Sequence, residues 1–315
     1  MAMKPLIFAL SLALACSVAS AQEFIWQPSA GHRQVEIWPG TAPDQQPVPG
    51  PEYAEWSGSK HLIAGKQVLS ISNVSRPTMT VYSPHGKNTR VAVVVYPGGG
   101  YQELAIDLEG TEVCDWLTAR GITCVLLKYR VPATPWKPPY MGAYPSSKMA
   151  LDDAQRTMGL LRLHAAEWHI DPHKIGVLGF SAGGSLVAEI STHFVTRIYQ
   201  PVDAADELSC RPDFAVALYP GHLWIDYKKF ELNPYVPVTR QTPPTFLLQA
   251  EDDHVDNVND SLVYYIALRK AGVPVEMHLY AHGGHAFGLR QTKFPITNWP
   301  QLVDRWLVSI GMVEK

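Results

Sequence analysis

Between residues 91 and 310 the chain alternates two kinds of hydrophobic pattern. A continuous apolar run falls at 91–96, and largely apolar runs fall at 123–129, 175–179, 214–219 and 245–250, with a last strand at 275–280. Runs of that kind mark strands buried on both faces. Between them, apolar positions recur every three or four residues at 111–120, 147–167, 182–192, 261–270 and 301–310, the period of helices with one buried face. Strand–helix alternation of this length predicts an α/β fold: a mostly parallel central sheet with helices on both faces. Two earlier runs, 67–71 and 78–82, alternate apolar and polar residues, which suits an antiparallel extension at one edge of that sheet.

Residues 22–60 have neither pattern. Pro28, Pro39, Pro43, Pro47, Pro49 and Pro51 make this stretch an extended arm laid over a single domain, 61–315. The first 21 residues read as an export signal: Lys4, an apolar run over 6–18, then the small-residue site Ala19-Ser20-Ala21. An exported protein, periplasmic or secreted and with no membrane partner once the signal is removed, is therefore expected. Loss of Cys16 with the signal leaves Cys114, Cys124 and Cys210, an odd number that cannot be a full disulfide framework. Cys114 and Cys124 are the nearest pair, one on a predicted helix and one on the strand after it. No cysteine or histidine spacing suggests a metal, and no cofactor motif stands out. With 26 Lys+Arg against 29 Asp+Glu the net charge is −3, which removes the electrostatic basis for a nucleic-acid partner.

The chemistry concentrates in three places. Gly179-Phe180-Ser181-Ala182-Gly183-Gly184 joins a short apolar strand to a helix, the context in which a G-x-S-x-G turn lifts a serine hydroxyl clear of the backbone. A serine hydroxyl is a weak nucleophile and needs a base beside it. Two strand ends offer partners in the order acid, then histidine: Glu251-Asp252-Asp253-His254-Val255 after the strand at 245–250, and His282-Gly283-Gly284-His285 after the strand at 275–280. His285 is the expected base, because Gly283 and Gly284 let the loop carry it toward Ser181. Composition alone does not separate Asp252 from Asp253. The third element is Tyr96-Pro97-Gly98-Gly99-Gly100-Tyr101, directly after the buried run at 91–96. Side-chain-free residues let backbone amides approach a developing oxyanion, and Gly99, Gly100 and Ala182 are the expected donors. The phosphate-binding alternative fails, since no G-K-[ST] follows and Glu103 stands where G-x-G-x-x-G needs glycine.

These residues, together with Lys-Tyr-Arg-Val-Pro at 128–132, resemble the α/β-hydrolase superfamily, and within it secreted esterases of the acetylxylan and feruloyl esterase kind. The resemblance implies Ser181, Asp252 and His285 as the catalytic triad. Asp252 is preferred because the acid of such families usually opens a D-x-x-V pattern, which Asp252 and Val255 fit. Pro97 replaces the histidine that lipase-like relatives carry before the glycine run, which argues against that branch. The implied activity is a serine esterase acting on short acyl, acetyl or feruloyl, esters derived from plant polysaccharide. The competing readings are a peptidase of the prolyl-oligopeptidase type, for whose usual gating domain the chain leaves no room, and an inactive carbohydrate-binding scaffold. Tyr101, and the loop aromatics Trp136, Tyr140 and Trp224 (with Tyr144 and Tyr227 nearby), are the expected substrate contacts, since aromatic faces stack on sugars or line acyl pockets.

Overall fold

The computed structural model describes residues 23–131, 147–225 and 229–314, with the side chain of residue 147 left out. The export signal expected over 1–21 lies outside the described residues, as do Trp136, Tyr140, Tyr144 and Tyr227.

Among these residues eleven strands follow in chain order: β1 Gln34–Glu36, β2 Tyr53–Trp56, β3 Leu69–Ser72, β4 Thr78–Tyr82, β5 Ala92–Tyr96, β6 Glu103–Ala105, β7 Thr123–Lys128, β8 Ile175–Phe180, β9 Ala215–Leu218, β10 Thr245–Ala250 and β11 Val275–Tyr280. Among the described residues five α-helices accompany them: α1 Glu112–Thr118, α2 Ser147–Leu163, α3 Ala182–Ile190, α4 Val258–Lys270 and α5 Trp299–Ser309. The main sheet runs β1-β4-β7-β5-β8-β9-β10-β11. From β7 to β11 all neighbours are parallel. Every residue of β5, β7, β8, β9 and β10 is buried, whereas β11, at the edge, is mostly half-exposed. The uninterrupted apolar runs in the sequence are thus the strands that helices cover on both sides.

Of the two early runs, only 78–82 extends the main sheet, as β4 antiparallel to β7. The other, expected beside it, becomes β3 in a separate three-stranded sheet, β2-β3-β6. The free edge of β4 is taken by β1, a strand from the Pro-rich stretch. That stretch is pinned to α2 by buried polar contacts: Trp38 Nε1 donates to Asp153 Oδ1 at 2.7 Å and Arg156 Nε to the Ile37 carbonyl at 2.8 Å. Cys114 and Cys124 form a disulfide between α1 and β7, and Cys210 is free and buried. Among the described residues no helix is long and apolar enough to cross a membrane.

Candidate active site

The carboxyl ends of β5, β8, β9, β10 and β11 converge on a cavity of about 830 Å³ whose lining includes Ser181, Ala182, Gly99, Gly100 and His285. Ser181 sits between β8 and α3 with φ +52° and ψ −121°, a conformation that L-residues rarely hold and that marks strain at functional turns. Its amide is tied to the Leu218 carbonyl at the end of β9, 3.0 Å away. The glycines around it are dictated by contact. A Cβ on Gly179 would lie 2.1 Å from the Gly183 carbonyl, and one on Gly183 would lie 2.0 Å from the Tyr96 carbonyl. The turn therefore fits only because both positions lack side chains.

His285 Nε2 lies 2.9 Å from Ser181 Oγ, and its Nδ1 lies 2.7 Å from Asp253 Oδ2. The carboxylate behind the histidine is thus that of Asp253, not Asp252. Asp253 is buried, and its Oδ1 accepts from the amides of Val255 at 2.9 Å and Asp256 at 3.0 Å. Gln249, at the inward end of β10, donates to Asp253 Oδ2 at 3.2 Å and is itself fixed by the Ser261 hydroxyl at 2.8 Å. Asp252 points the other way. Its Oδ1 accepts from the amides of Gly283 and Gly284, both at 2.8 Å, and its Oδ2 meets His282 Nδ1 at 3.2 Å. The Gly284 amide first, then that of Gly283, holds the Asp252 carboxyl below the usual carboxylate range. Asp252 therefore shapes the loop that presents His285 and makes no contact with the imidazole. The D-x-x-V spacing misleads because two consecutive residues after a strand point to opposite sides, and the one beside Gln249 faces inward.

Burial pulls His285 toward neutrality, but the Asp253 hydrogen bond and the nearby charges of Asp256, Asp253 and Glu109 outweigh it. The imidazole is held above its ordinary value.

The glycine loop after β5 is equally constrained. Gly99 has φ +134° and a Cβ there would strike the Glu103 carbonyl at 2.1 Å; Gly100 has φ +62°. The Gly98 amide donates to Glu109 Oε2 at 2.7 Å, and the Pro97 carbonyl accepts from the Tyr129 hydroxyl at 2.5 Å. Among the described residues nothing accepts from the amides of Gly99 or Gly100, which leaves both able to donate to a ligand.

Sequence reasoning missed three side chains here. Glu109 is buried beneath the loop, where its Oε1 accepts from the Tyr219 hydroxyl at 2.8 Å. Burial pushes its carboxyl upward, partly countered by the Tyr219 hydrogen bond, the charge of His285 and the Gly98 amide. The Tyr219 ring in turn packs edge-on against His285, with centroids 4.9 Å apart. Asp256, three residues past Asp253, brings its Oδ2 to 3.2 Å from Ser181 Oγ and 3.7 Å from His285 Nε2. Its signal was available in the sequence as a third aspartate in Asp-Asp-His-Val-Asp. Glu109 and Tyr219 had none, since each is an ordinary residue until the fold joins them.

Two expected substrate contacts fall elsewhere. Tyr101 is buried beneath the loop, edge-on to Tyr129 at 6.1 Å, and does not line the cavity. Trp224 packs on Phe230, its indole N–H donating to the Lys229 carbonyl at 2.8 Å, and it also lies outside the lining. Both rings serve packing. Instead, residues from the stretch between β2 and β3 form one wall, among them Lys60, His61, Leu62 and Ile63. Among the described residues no cluster of histidine, cysteine or carboxylate side chains suits a metal ion.

Known proteins are similar to this chain in sequence and in fold. The family model of the prolyl oligopeptidase family matches residues 152–310, and a second, BD-FAE, matches residues 79–217. An acetylxylan esterase from Xylanibacter ruminicola is 29% identical over 270 residues, which is 79% of this chain but 50% of that protein. The chain thus spans about half the length of that relative. The crystal structure of an acetyl ester-xyloside bifunctional hydrolase from Caldicellulosiruptor lactoaceticus is 30% identical, covering 89% of this chain and 97% of that one, with a TM-score of 0.67. MGS-M1, an α/β-hydrolase enzyme from a Medee basin deep-sea metagenome library, is 27% identical over 74% of this chain and 92% of that one, with a TM-score of 0.58. The fold, the order of the motifs and these matches together show that the chain belongs to the prolyl oligopeptidase family and is an α/β-hydrolase similar to acetylxylan and feruloyl esterases.

Proposed function

We propose that the chain is a serine carboxylic-ester hydrolase that works through an acyl-enzyme and removes short acyl groups, acetyl or feruloyl, from esters of plant polysaccharide. The observation that carries the reading is the hydrogen-bonded chain from Asp253 through His285 to Ser181, opening on a cavity that Gly99, Gly100 and Ala182 also line.

Ser181 Oγ attacks the ester carbonyl while His285 Nε2 takes its proton. Asp253 accepts from Nδ1–H, which fixes the tautomer and stabilises the imidazolium as it forms. The carbonyl oxygen becomes an oxyanion facing the amides of Gly99, Gly100 and Ala182, the last at the first turn of α3, where the helix dipole also favours negative charge. His285 returns the proton to the departing alcohol, and water cleaves the acyl-enzyme by the same steps in reverse order. A cavity of about 830 Å³ lies within the range of small-molecule sites. Support for the substrate class comes from the two relatives whose names specify acetyl esters and xylan. The export signal read in residues 1–21 supports a polymer-derived substrate met outside the cytoplasm.

The test is hydrolysis of p-nitrophenyl acetate, acetylated xylan and methyl ferulate by the purified protein, with Ser181→Ala alongside. The variant is expected to lose roughly 10⁴- to 10⁶-fold in kcat. Retention of activity by Ser181→Ala would remove that hydroxyl from the reaction. Faster turnover of X-Pro amides than of esters would favour a peptidase, the reading that the prolyl oligopeptidase match keeps in play.

A further inference from the structure

Asp256 has no part in the proton relay, yet it is built into the cavity beside it. The residue is only 6% exposed. Its amide donates to Asp253 Oδ1 at 3.0 Å, and its carbonyl accepts from Gln249 Nε2 at 2.9 Å. On the other side the chain makes room for it: a Cβ on Gly221 would stand 2.2 Å from Asp256 Oδ1.

A carboxylate offers about four acceptor sites. Among the described residues, Ser181 Oγ is the only hydrogen-bond donor that reaches this one, at 3.2 Å, and His222 Nε2 stands off at 3.9 Å. That hydroxyl carries a single hydrogen, which goes to His285 Nε2 when the serine reacts, and acylation removes it altogether. A buried acceptor without a donor is costly, so another donor is favoured at that moment. The place where it is wanted is specific. Asp256 Oδ2 lies near both Ser181 Oγ and His285 Nε2, and therefore borders the point where the departing oxygen collects its proton. An alcohol with a second hydroxyl next to the ester oxygen brings a donor to Asp256, and a plain alkyl alcohol does not. The cavity also contains Lys60 and His61, which favours a neutral hydroxyl over an ammonium group as that donor.

We propose that Asp256 is a specificity-determining residue that selects esters whose alcohol part carries a hydroxyl beside the esterified oxygen, as in a partly acylated sugar, by accepting that hydroxyl's hydrogen bond. The inference rests on the ester-hydrolase reading of the same site. It differs from a positioning role because it acts on the substrate directly and discriminates between alcohols.

The test pairs 2-hydroxyethyl acetate with propyl acetate, which differ by a hydroxyl in place of a methyl group. The wild-type enzyme is expected to favour the hydroxy ester, and Asp256→Ala to reduce that ratio of kcat/KM about tenfold. Asp256→Asn keeps an acceptor oxygen and removes the charge, so it should retain most of the preference. It should also move the acid limb of kcat/KM to lower pH, because the Asp256 charge helps His285 keep its proton. The groups facing Asp256 in that titration are Ser181, His285 and His222 from three other loops, and Asp253 and Asp260 from its own loop and α4. A wild-type enzyme indifferent to the hydroxyl, or an Asp256→Ala variant that slows both esters in step, overturns the proposal. Failure of the wild-type enzyme on both esters overturns the ester-hydrolase reading instead.

Discussion

The cavity has a floor and an outer wall that are made in different ways. The floor comes from the ends of central strands, where side chains are buried and the backbone is fixed by contact: Gly99, Gly179 and Gly183 each occupy a position that a methyl group would close. The wall comes from residues 57–68, between β2 and β3, where Lys60, His61 and Leu62 are exposed. Its internal bonds are local to the stretch. The Ser57 hydroxyl donates to the His61 carbonyl at 2.7 Å and accepts from the Val68 amide at 3.0 Å, the Ser57 amide donates to the Val68 carbonyl at 2.8 Å, and Ile63 pairs with Lys66. The buried Arg290 anchors its base, donating to the Gln67 carbonyl at 2.8 Å and to Asp107 Oδ2 at 2.9 Å, and Asp107 Oδ1 in turn accepts from the Leu69 amide at 2.8 Å. Floor positions therefore set the reacting geometry and, through Asp256, the fit of the alcohol next to it. Wall positions offer shape and charge to the more distant parts of a bound molecule.

The sharpest way to break this division lies in the two neighbouring aspartates. Asp253→Asn should lower kcat roughly 10³- to 10⁴-fold, because the amide cannot hold His285 in the tautomer that takes a proton from Ser181. Asp252→Asn keeps one acceptor for the Gly283 and Gly284 amides and should cost less than about tenfold, with a lower Tm as its main effect. Kinetics and thermal melts of the two variants side by side check this; equal losses would mean that the loop shape and the imidazole contact cannot be separated.

Next in size is the glycine loop. Gly99→Ala places a methyl group against the Glu103 carbonyl at a φ of +134° and must displace the loop. Loss of a single oxyanion donor is worth about 10²- to 10³-fold in kcat, and a loss in that range with KM little altered is the expected outcome. A variant that retains full kcat would show that the Gly99 amide makes no contribution to the oxyanion.

The floor was largely legible in the sequence and the wall was not, for a physical reason. Strands buried on both faces must be apolar throughout, so β5, β8 and β10 announced themselves, and with them the loops at their ends. The Ser181 turn was legible because its steric demand writes glycine at fixed spacing. The choice between Asp252 and Asp253 was not, since it depends on which way one peptide turns after β10 and on Gln249, a residue with no pattern of its own. Glu109 and Tyr219 are joined across the cavity floor by tertiary contact alone. The arm read as one extended piece because proline content describes backbone stiffness, while its partners β4 and α2 are chosen by the fold. Tyr101 and Trp224 fall outside the lining because an aromatic residue near a strand end serves packing as readily as binding: Tyr101 is buried beneath the loop, and Trp224, half-buried, packs on Phe230.

The smallest expected effect tests the wall itself. Leu62, 44% exposed, and Val255, 69% exposed, are, among the described residues, the large apolar side chains left open to solvent on the cavity lining. Exposed leucines and valines are ordinary on a protein surface, but two on the lip of one cavity give an acyl chain or a feruloyl ring something to cover. Covering part of such a side chain is worth a few tenths to about 1 kcal/mol. Leu62→Ser should therefore raise KM for butyryl and feruloyl esters about two- to fivefold, while acetyl esters, too short to reach the lip, change less. Because Leu62 is already exposed, the Tm should shift by no more than an ordinary surface substitution, within about 0.5 kcal/mol of stability. A variant that weakens acetyl and feruloyl esters by the same factor would mean that the wall supports the floor mechanically, and the division between a reacting floor and a selecting wall would not hold.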